Sequence, residues 1–209
     1  KWYKKSWLDK ISKKNKVMKK LFELKKLLKH HNLDAYIVPK NDEFFGEYAF
    51  TNRLKTVSNF SGSAGFAIIT LKLNYLFIDG RYLIQSKMES GKNFKITEIP
   101  YKYPKNVLDV NKIKRIGYDP SVFTTNVLKR YFGNKFKLIS IKKNLIDLIS
   151  LEKKKEKKSF FILDNKTAGE TTSSKINRLH KIIRKNSAEN IFVSAPENVA
   201  WLLNIRGKD

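Results

Sequence analysis

Cysteine is absent from all 209 residues. That removes disulfide bonds and thiol catalysis together and makes a reducing interior the simpler expectation. Histidine is nearly as scarce: His30, His31 and His180 are all there are. The first two are adjacent, so on a helix they diverge by about 100° and cannot comfortably share an ion. His30 and Asp34 have i,i+4 spacing but fall where a helix is expected to end. His180 sits in a helical stretch among lysine and arginine. The carboxylates are scattered through loops and a charged run, with no pair on one predicted face. The sequence therefore predicts no metal site and no catalytic residues. Without G-x-S-x-G there is no elbow-type serine nucleophile. No apolar run approaches the length of a membrane span. The basic start, Lys1-Trp2-Tyr3-Lys4-Lys5-Ser6-Trp7-Leu8, leads into no apolar stretch of the kind a secretory signal needs.

Arginine is also rare: seven of the 44 basic residues. The formal net charge is nevertheless +25. A charge of that size raises nucleic-acid binding as a reading, because lysine neutralises phosphate. Base recognition leans on the arginine fork, however, and the lysines are spread along the chain rather than gathered in a stripe. Lys, Asn, Ile, Phe and Tyr are all abundant and all have A/T-rich codons, so base composition accounts for much of the charge. A nucleic-acid role is disfavoured; an acidic partner surface stays open. Hydrophobic residues at 41% and aromatics at 12% supply a real core.

Residues 1–16 form a basic leader: a short amphipathic helix on a membrane surface or, more commonly for such a segment, a leader packed on the domain or a frayed end. From Val17 the apolar positions Leu21, Leu24, Leu27 and Leu28 predict a helix ending near His31-Asn32. Ala35-Tyr36-Ile37-Val38 reads as a buried strand stopped by Pro39. The run Phe66–Leu71, a turn at 72–74 and Tyr75–Ile78 predict a hairpin. Arg81–Ser90 is expected to be helical, capped by Asp79 or Gly80. Further strands are expected at 94–99, 115–118 and 136–141, with a helix from Thr124 to Phe132. Alternating helices and strands predict an α/β class with a mixed sheet flanked by helices.

The apolar-free run Glu152–Lys158 reads as a linker. Beyond it a second unit begins at Phe160-Phe161-Ile162-Leu163, with a helix from about Thr172 to Asn186, a strand Ile191-Phe192-Val193, and a helix opened by Pro196 with a glycine stop at its end. A gapless shift of 155 positions sets Leu21, Leu24, Leu27 and Leu28 on Ile176, Leu179, Ile182 and Ile183. The same shift sets Tyr36-Ile37-Val38 on Ile191-Phe192-Val193. One helix–strand module is expected twice, the second copy incomplete. The expected domains are 1–16, 17–151, 152–158 and 159–209.

Gly62 and Gly65 suggest a phosphate cradle, but their loop feeds a strand rather than a helix N-terminus, so a tight bend is the better account. Asp79-Gly80-Arg81-Tyr82 lies at a strand end, where α/β folds often place ligands; a capped turn with a structural ion pair competes with that reading.

Leu33–Pro39, Phe60-Ser61-Gly62-Ser63-Ala64-Gly65 and Asp79-Gly80-Arg81-Tyr82 with Gln85 resemble the amino-terminal creatinase-like domain of Xaa-Pro aminopeptidases. Val199–Gly207 with Asp209 is similar to the second domain of three-domain, cytosolic-type members, and Asn144–Leu148 resembles the stretch just before it. Asn59 stands where the family usually has glycine. The resemblance implies two similar α/β domains ahead of a pita-bread catalytic domain that this chain lacks. There two divalent ions, manganese by expectation, activate the water that attacks the bond before proline. It implies a cytoplasmic location, a homodimer, the protein's own catalytic domain as partner, and substrates with proline in second place. Phe60, Ser61, Gly62, Ser63, Gly65, Asp79, Gly80, Arg81 and Tyr82 are the candidate active-site rim or interface. A stand-alone scaffold or interaction domain without catalysis is the alternative.

Overall fold

A computed structural model describes residues 2–45, 51–150 and 159–207, with the side chains of 2–14 and of Lys92 outside the description. The linker expected at 152–158 lies outside the described residues. Two compact units emerge, one within 1–43 and 47–152 and the other within 44–46 and 153–209.

The first unit opens with α1 (Trp2–His30), one helix that runs without a break across residue 17. Val17, Leu21, Leu24 and Leu28 fall on one stripe and are buried, as their spacing requires. β1 (Ala35–Pro39) is buried at every position. α2 (Arg53–Ser58) is capped at its start by Asn52, whose side chain accepts from the Lys55 amide. β2 (Gly65–Thr70) and β3 (Asn74–Asp79) make the predicted antiparallel hairpin. A single 3₁₀ turn, Gly80–Tyr82, precedes α3 (Leu83–Ser90), so the helix expected from Arg81 begins two residues later. β4 (Phe94–Ile99), α4 (Pro104–Val107) and β5 (Arg115–Tyr118) follow. α5 (Thr125–Phe132) is capped by the Thr124 hydroxyl; β6 (Lys137–Ser140) and α6 (Leu145–Ile149) complete the unit.

The sheet order is β4-β3-β2-β1-β5-β6. β1 pairs antiparallel with β2 and parallel with β5, and β3–β4 and β5–β6 are parallel, so the sheet is mixed. β1 is buried on both faces and hydrogen-bonded on both edges, which is why it reads as an unbroken apolar run rather than an alternating one. Alternate residues serve two cores. Tyr36, Val38, Ile69 and Leu76 face Leu24, Leu28, Leu145 and Ile146. Ile37, Phe66, Ile68 and Phe77 face Leu128 and Phe132. Rings stack in the second core, with Phe66 centred 4.8 Å from Phe77 and 4.4 Å from Tyr131.

The second unit holds a two-stranded ribbon, β7 (Phe161–Ile162) with β8 (Ile205–Arg206). Between them lie α7 (Asn165–Ala168), α8 (Thr172–Lys185) and α9 (Pro196–Leu203). Two expectations fail here. Ile191–Val193 is not a strand: Tyr36–Val38 lies between two neighbouring strands, whereas β7 pairs with β8 and leaves 191–193 without a ladder, with Phe192 90% exposed. The second copy therefore repeats the helix of the module but not its strand. The helix stop is Asn204 in the left-handed region (φ 53°), not Gly207. Asn204 also binds the Glu170 carbonyl through Nδ2 and accepts from the Lys175 ammonium at 2.6 Å.

Candidate functional site

The two segments singled out in the sequence meet because β2 starts where β3 ends, with Gly65 opposite Ile78. α2 terminates at Asn59 in the left-handed region (φ 64°). That conformation accounts for the glycine usual in the family, and asparagine is among the side chains that tolerate it best. Phe60 is then fully buried, and its ring meets Tyr82 edge-on at 5.8 Å. Gly62 covers the Phe60 ring so closely that a Cβ would collide with it. At Gly65, φ is +153° and a Cβ would lie 2.7 Å from the Phe77 carbonyl oxygen. Both glycines therefore serve close packing, in a loop that enters a strand and offers no phosphate cradle.

Ser61 lies over α3. Its amide and hydroxyl donate to the two oxygens of Glu89 at 2.7 and 2.6 Å, and Gln85 Nε2 donates to the Ser61 hydroxyl at 2.9 Å. Gln85 also reaches Glu89, at 3.2 Å. Burial pushes Glu89 upward, but the Ser61 and Gln85 donors and the charge of Lys55 together hold its carboxyl below the usual range. Ser63 shares a 2.8 Å hydrogen bond with the Tyr82 hydroxyl. Arg81 donates to Asp79 through Nε at 2.9 Å, and the Arg81 amide bonds the same carboxylate at 3.0 Å. This pairing holds Asp79 below its ordinary value, with the side-chain hydrogen bond foremost. Asp79 is thus both a turn cap and an ion-pair partner. Gly80 lets the Glu98 carboxylate approach the turn, where a Cβ would collide with it.

The Glu89 carboxylate accepts three hydrogen bonds in this cluster and was not singled out in the sequence. Its i,i+4 spacing from Gln85 on α3 was the available signal. A second polar joint had no signal at all. Arg53 is 9% exposed and forms a bidentate pair with Asp147, 94 residues away, at 2.8 and 2.9 Å. The pair borders an open cleft of about 390 Å³ with Glu43, Asp119, Lys142 and Asn144. The hydrogen bond to Asp147, opposed by burial, raises the guanidinium further above neutrality. The His30 and His31 rings stand edge-on at 5.2 Å. Among the described residues no cluster of His, Asp and Glu could hold a metal ion.

Residues 20–148 and residues 151–209 each match a family model described as Creatinase/Prolidase N-terminal domain. Xaa-Pro aminopeptidase 1 of Dictyostelium discoideum is 34% identical over 217 residues, covering 92% of this chain and 34% of that protein. A protein of Laccaria bicolor named probable Xaa-Pro aminopeptidase P is 34% identical over 203 residues, covering 91% and 32%. The chain spans about a third of the length of the curated relatives it matches. The solved X-prolyl aminopeptidase of Caenorhabditis elegans, described as a cytosolic enzyme with a di-nuclear active site, superposes with a TM-score of 0.75 at 26% identity. That match covers 92% of this chain and 35% of that one. A Streptococcus pyogenes Xaa-Pro aminopeptidase structure, with a TM-score of 0.53 at 16% identity, shares the fold. With 129 consecutive residues under one model and most of the remainder under another of the same description, the chain belongs to the creatinase/prolidase N-terminal domain family.

Proposed function

We propose that this chain is the non-catalytic front portion of a metal-dependent aminopeptidase that removes the amino-terminal residue preceding proline. The observation that carries the reading is the pair of consecutive family matches, in a chain whose relatives are about three times its length. The chemistry resides in a further domain with two divalent metal ions, manganese in our reading. This chain contributes to assembly, as a homodimer in the cytoplasm, and to the approach of the peptide. Among the described residues no helix is long and apolar enough to cross a membrane. The stretches Phe60–Gly65 and Asp79–Tyr82 form the rim. Their support is rigidity: buried Phe60 under Tyr82, Ser63 bonded to Tyr82, and Ser61 anchored on Glu89.

A chimera tests this. The matched third of the Dictyostelium protein is replaced by residues 1–209, and hydrolysis of a Xaa-Pro peptide is measured with Mn²⁺ beside the isolated chain. The chimera is expected to cleave and the isolated chain to be inactive. A chimera that folds by circular dichroism yet does not cleave favours a stand-alone scaffold. Cleavage by the isolated chain overturns the division of labour. Tyr82→Phe in the chimera is expected to change KM more than kcat.

A further inference from the structure

We propose that one flank of α1 is a docking face for an anionic lipid bilayer, on which the helix lies parallel to the surface. α1 carries two apolar stripes rather than one. Val17, Leu21, Leu24 and Leu28 are buried in the core. Met18 and Phe22 each follow a core residue by one position, which turns them about 100° from that stripe. They are 48% and 61% exposed.

Trp7 and Ile11 continue the second line. α1 is one helix from Trp2 to His30, so positions 7, 11, 18 and 22 fall within about 60° of arc. Between positions 7 and 22 no lysine falls inside that arc; Lys14 lies on one flank of it and Lys19 on the other. Residues 1–20 hold nine lysines against a single acidic residue, Asp9. The first turn has no acidic residue and carries Lys4 and Lys5 instead. A helix N-terminus disfavours cations, and an anionic surface outside the protein reverses that cost. The Lys26 ammonium stands 4.6 Å from the centre of the Phe22 ring, one turn on. An apolar line containing tryptophan, bordered by lysines, suits the headgroup region: rings reach the acyl boundary and ammonium groups reach lipid phosphates and carboxylates.

Other occupants fit less well. Nucleic acid would take the lysines but leave the apolar line in water. α1 also has no arginine, the basic residue favoured both in base recognition and in protein interfaces, where lysine is depleted. A second copy would set lysine against lysine.

The test mixes the full chain with vesicles of phosphatidylcholine containing phosphatidylserine, beside vesicles of phosphatidylcholine alone. The chain is expected to sediment with the anionic vesicles, less so as salt rises, and brominated acyl chains are expected to quench its tryptophan emission. M18S/F22S alters two exposed side chains, with folding checked by circular dichroism. It is expected to lower binding by about tenfold and to remove the quenching. K16E/K19E, on α1, is expected to lower binding by about tenfold, and K129E/K137E, the same charge change elsewhere, to have little effect. Absence of binding, equal binding to neutral vesicles, or undiminished binding of M18S/F22S overturns the proposal. Equal losses in the two lysine pairs reduce the effect to net charge and overturn it as well. Release from the vesicles by an equal charge of duplex DNA, or of a glutamate-rich amphipathic peptide, assigns the flank to nucleic acid or protein and equally overturns it. These readouts need no peptidase activity, so they stand or fall independently of the proposed function.

Discussion

One helix pattern occurs twice in this chain, with different outcomes. In α1, Leu21, Leu24 and Leu28 are at most 3% exposed, and the strand that follows is buried throughout. In α8 the counterparts Ile176, Leu179 and Ile183 are only half-buried, Ile182, the counterpart of half-buried Leu27, is 53% exposed, and the segment matching β1 forms no ladder. The apolar spacing is the same; the surroundings are not. β1 is flanked by β2 and β5, whereas the described residues of the second unit hold one two-residue pair of strands. Strand formation follows the availability of neighbours more than the propensity of the segment.

The widest contrast should appear in amide exchange. Tyr36–Val38 is expected to exchange slower than Ile191–Val193 by about three orders of magnitude or more, because the former opens only with its core. Comparable rates by exchange mass spectrometry break the comparison. Next, Leu24→Ala is expected to cost about 2–5 kcal/mol in urea unfolding, and Ile182→Ala about 0.5 kcal/mol or less. Similar losses would mean that α8 covers a core as closed as that of α1.

Gly65→Ala sharpens the picture of the first unit. It combines a positive φ with a clash against the Phe77 carbonyl, so a loss of about 1–3 kcal/mol is expected by the same assay. The smallest effect is acid-dependent. Glu89 in the first unit and Asp164 in the second both have lowered carboxyl values: Glu89 because its donors outweigh burial, Asp164 chiefly through the Thr167 amide. A depressed folded value means that the stabilisation is complete above the unfolded value, about 4.3 for Glu and 3.9 for Asp. It is lost as pH falls through the folded value. Glu89→Gln is expected to flatten the acid limb of stability, and Asp164→Asn to flatten it less, since its partners lie within one exposed cap. Unchanged limbs in pH-resolved unfolding would show these hydrogen bonds to be silent.

The first unit was largely legible in the sequence. Helical spacing marked α1 and α5, which bury one stripe, and unbroken apolar runs marked β1 and the β2–β3 hairpin, which are buried on both faces. The short helices α2, α4 and α6 escaped. At four to six residues they show too little periodicity to read, and caps such as Asn52 and Asn144 hold them. Of the candidate rim, the segments and Asp79 as a cap were legible. The Glu89 anchor was weakly so, and the Arg53–Asp147 pair not at all, because 94 residues of sequence separate its halves. Ile191–Val193 failed for the opposite reason. A local pattern was present without the tertiary partners that would give it effect.

The Lys175 amine, 2% exposed, donates to the Trp201 carbonyl at 2.8 Å and to Asn204, and lies 4.3 Å from the centre of the Trp201 ring. In a chain otherwise covered with accessible ammonium groups, it is withheld from any acylating reagent while α8 and α9 stay together. The lag with which that single nitrogen becomes labelled is a clock for the loosening of those two helices, readable by mass spectrometry in a crowded mixture and without an engineered probe.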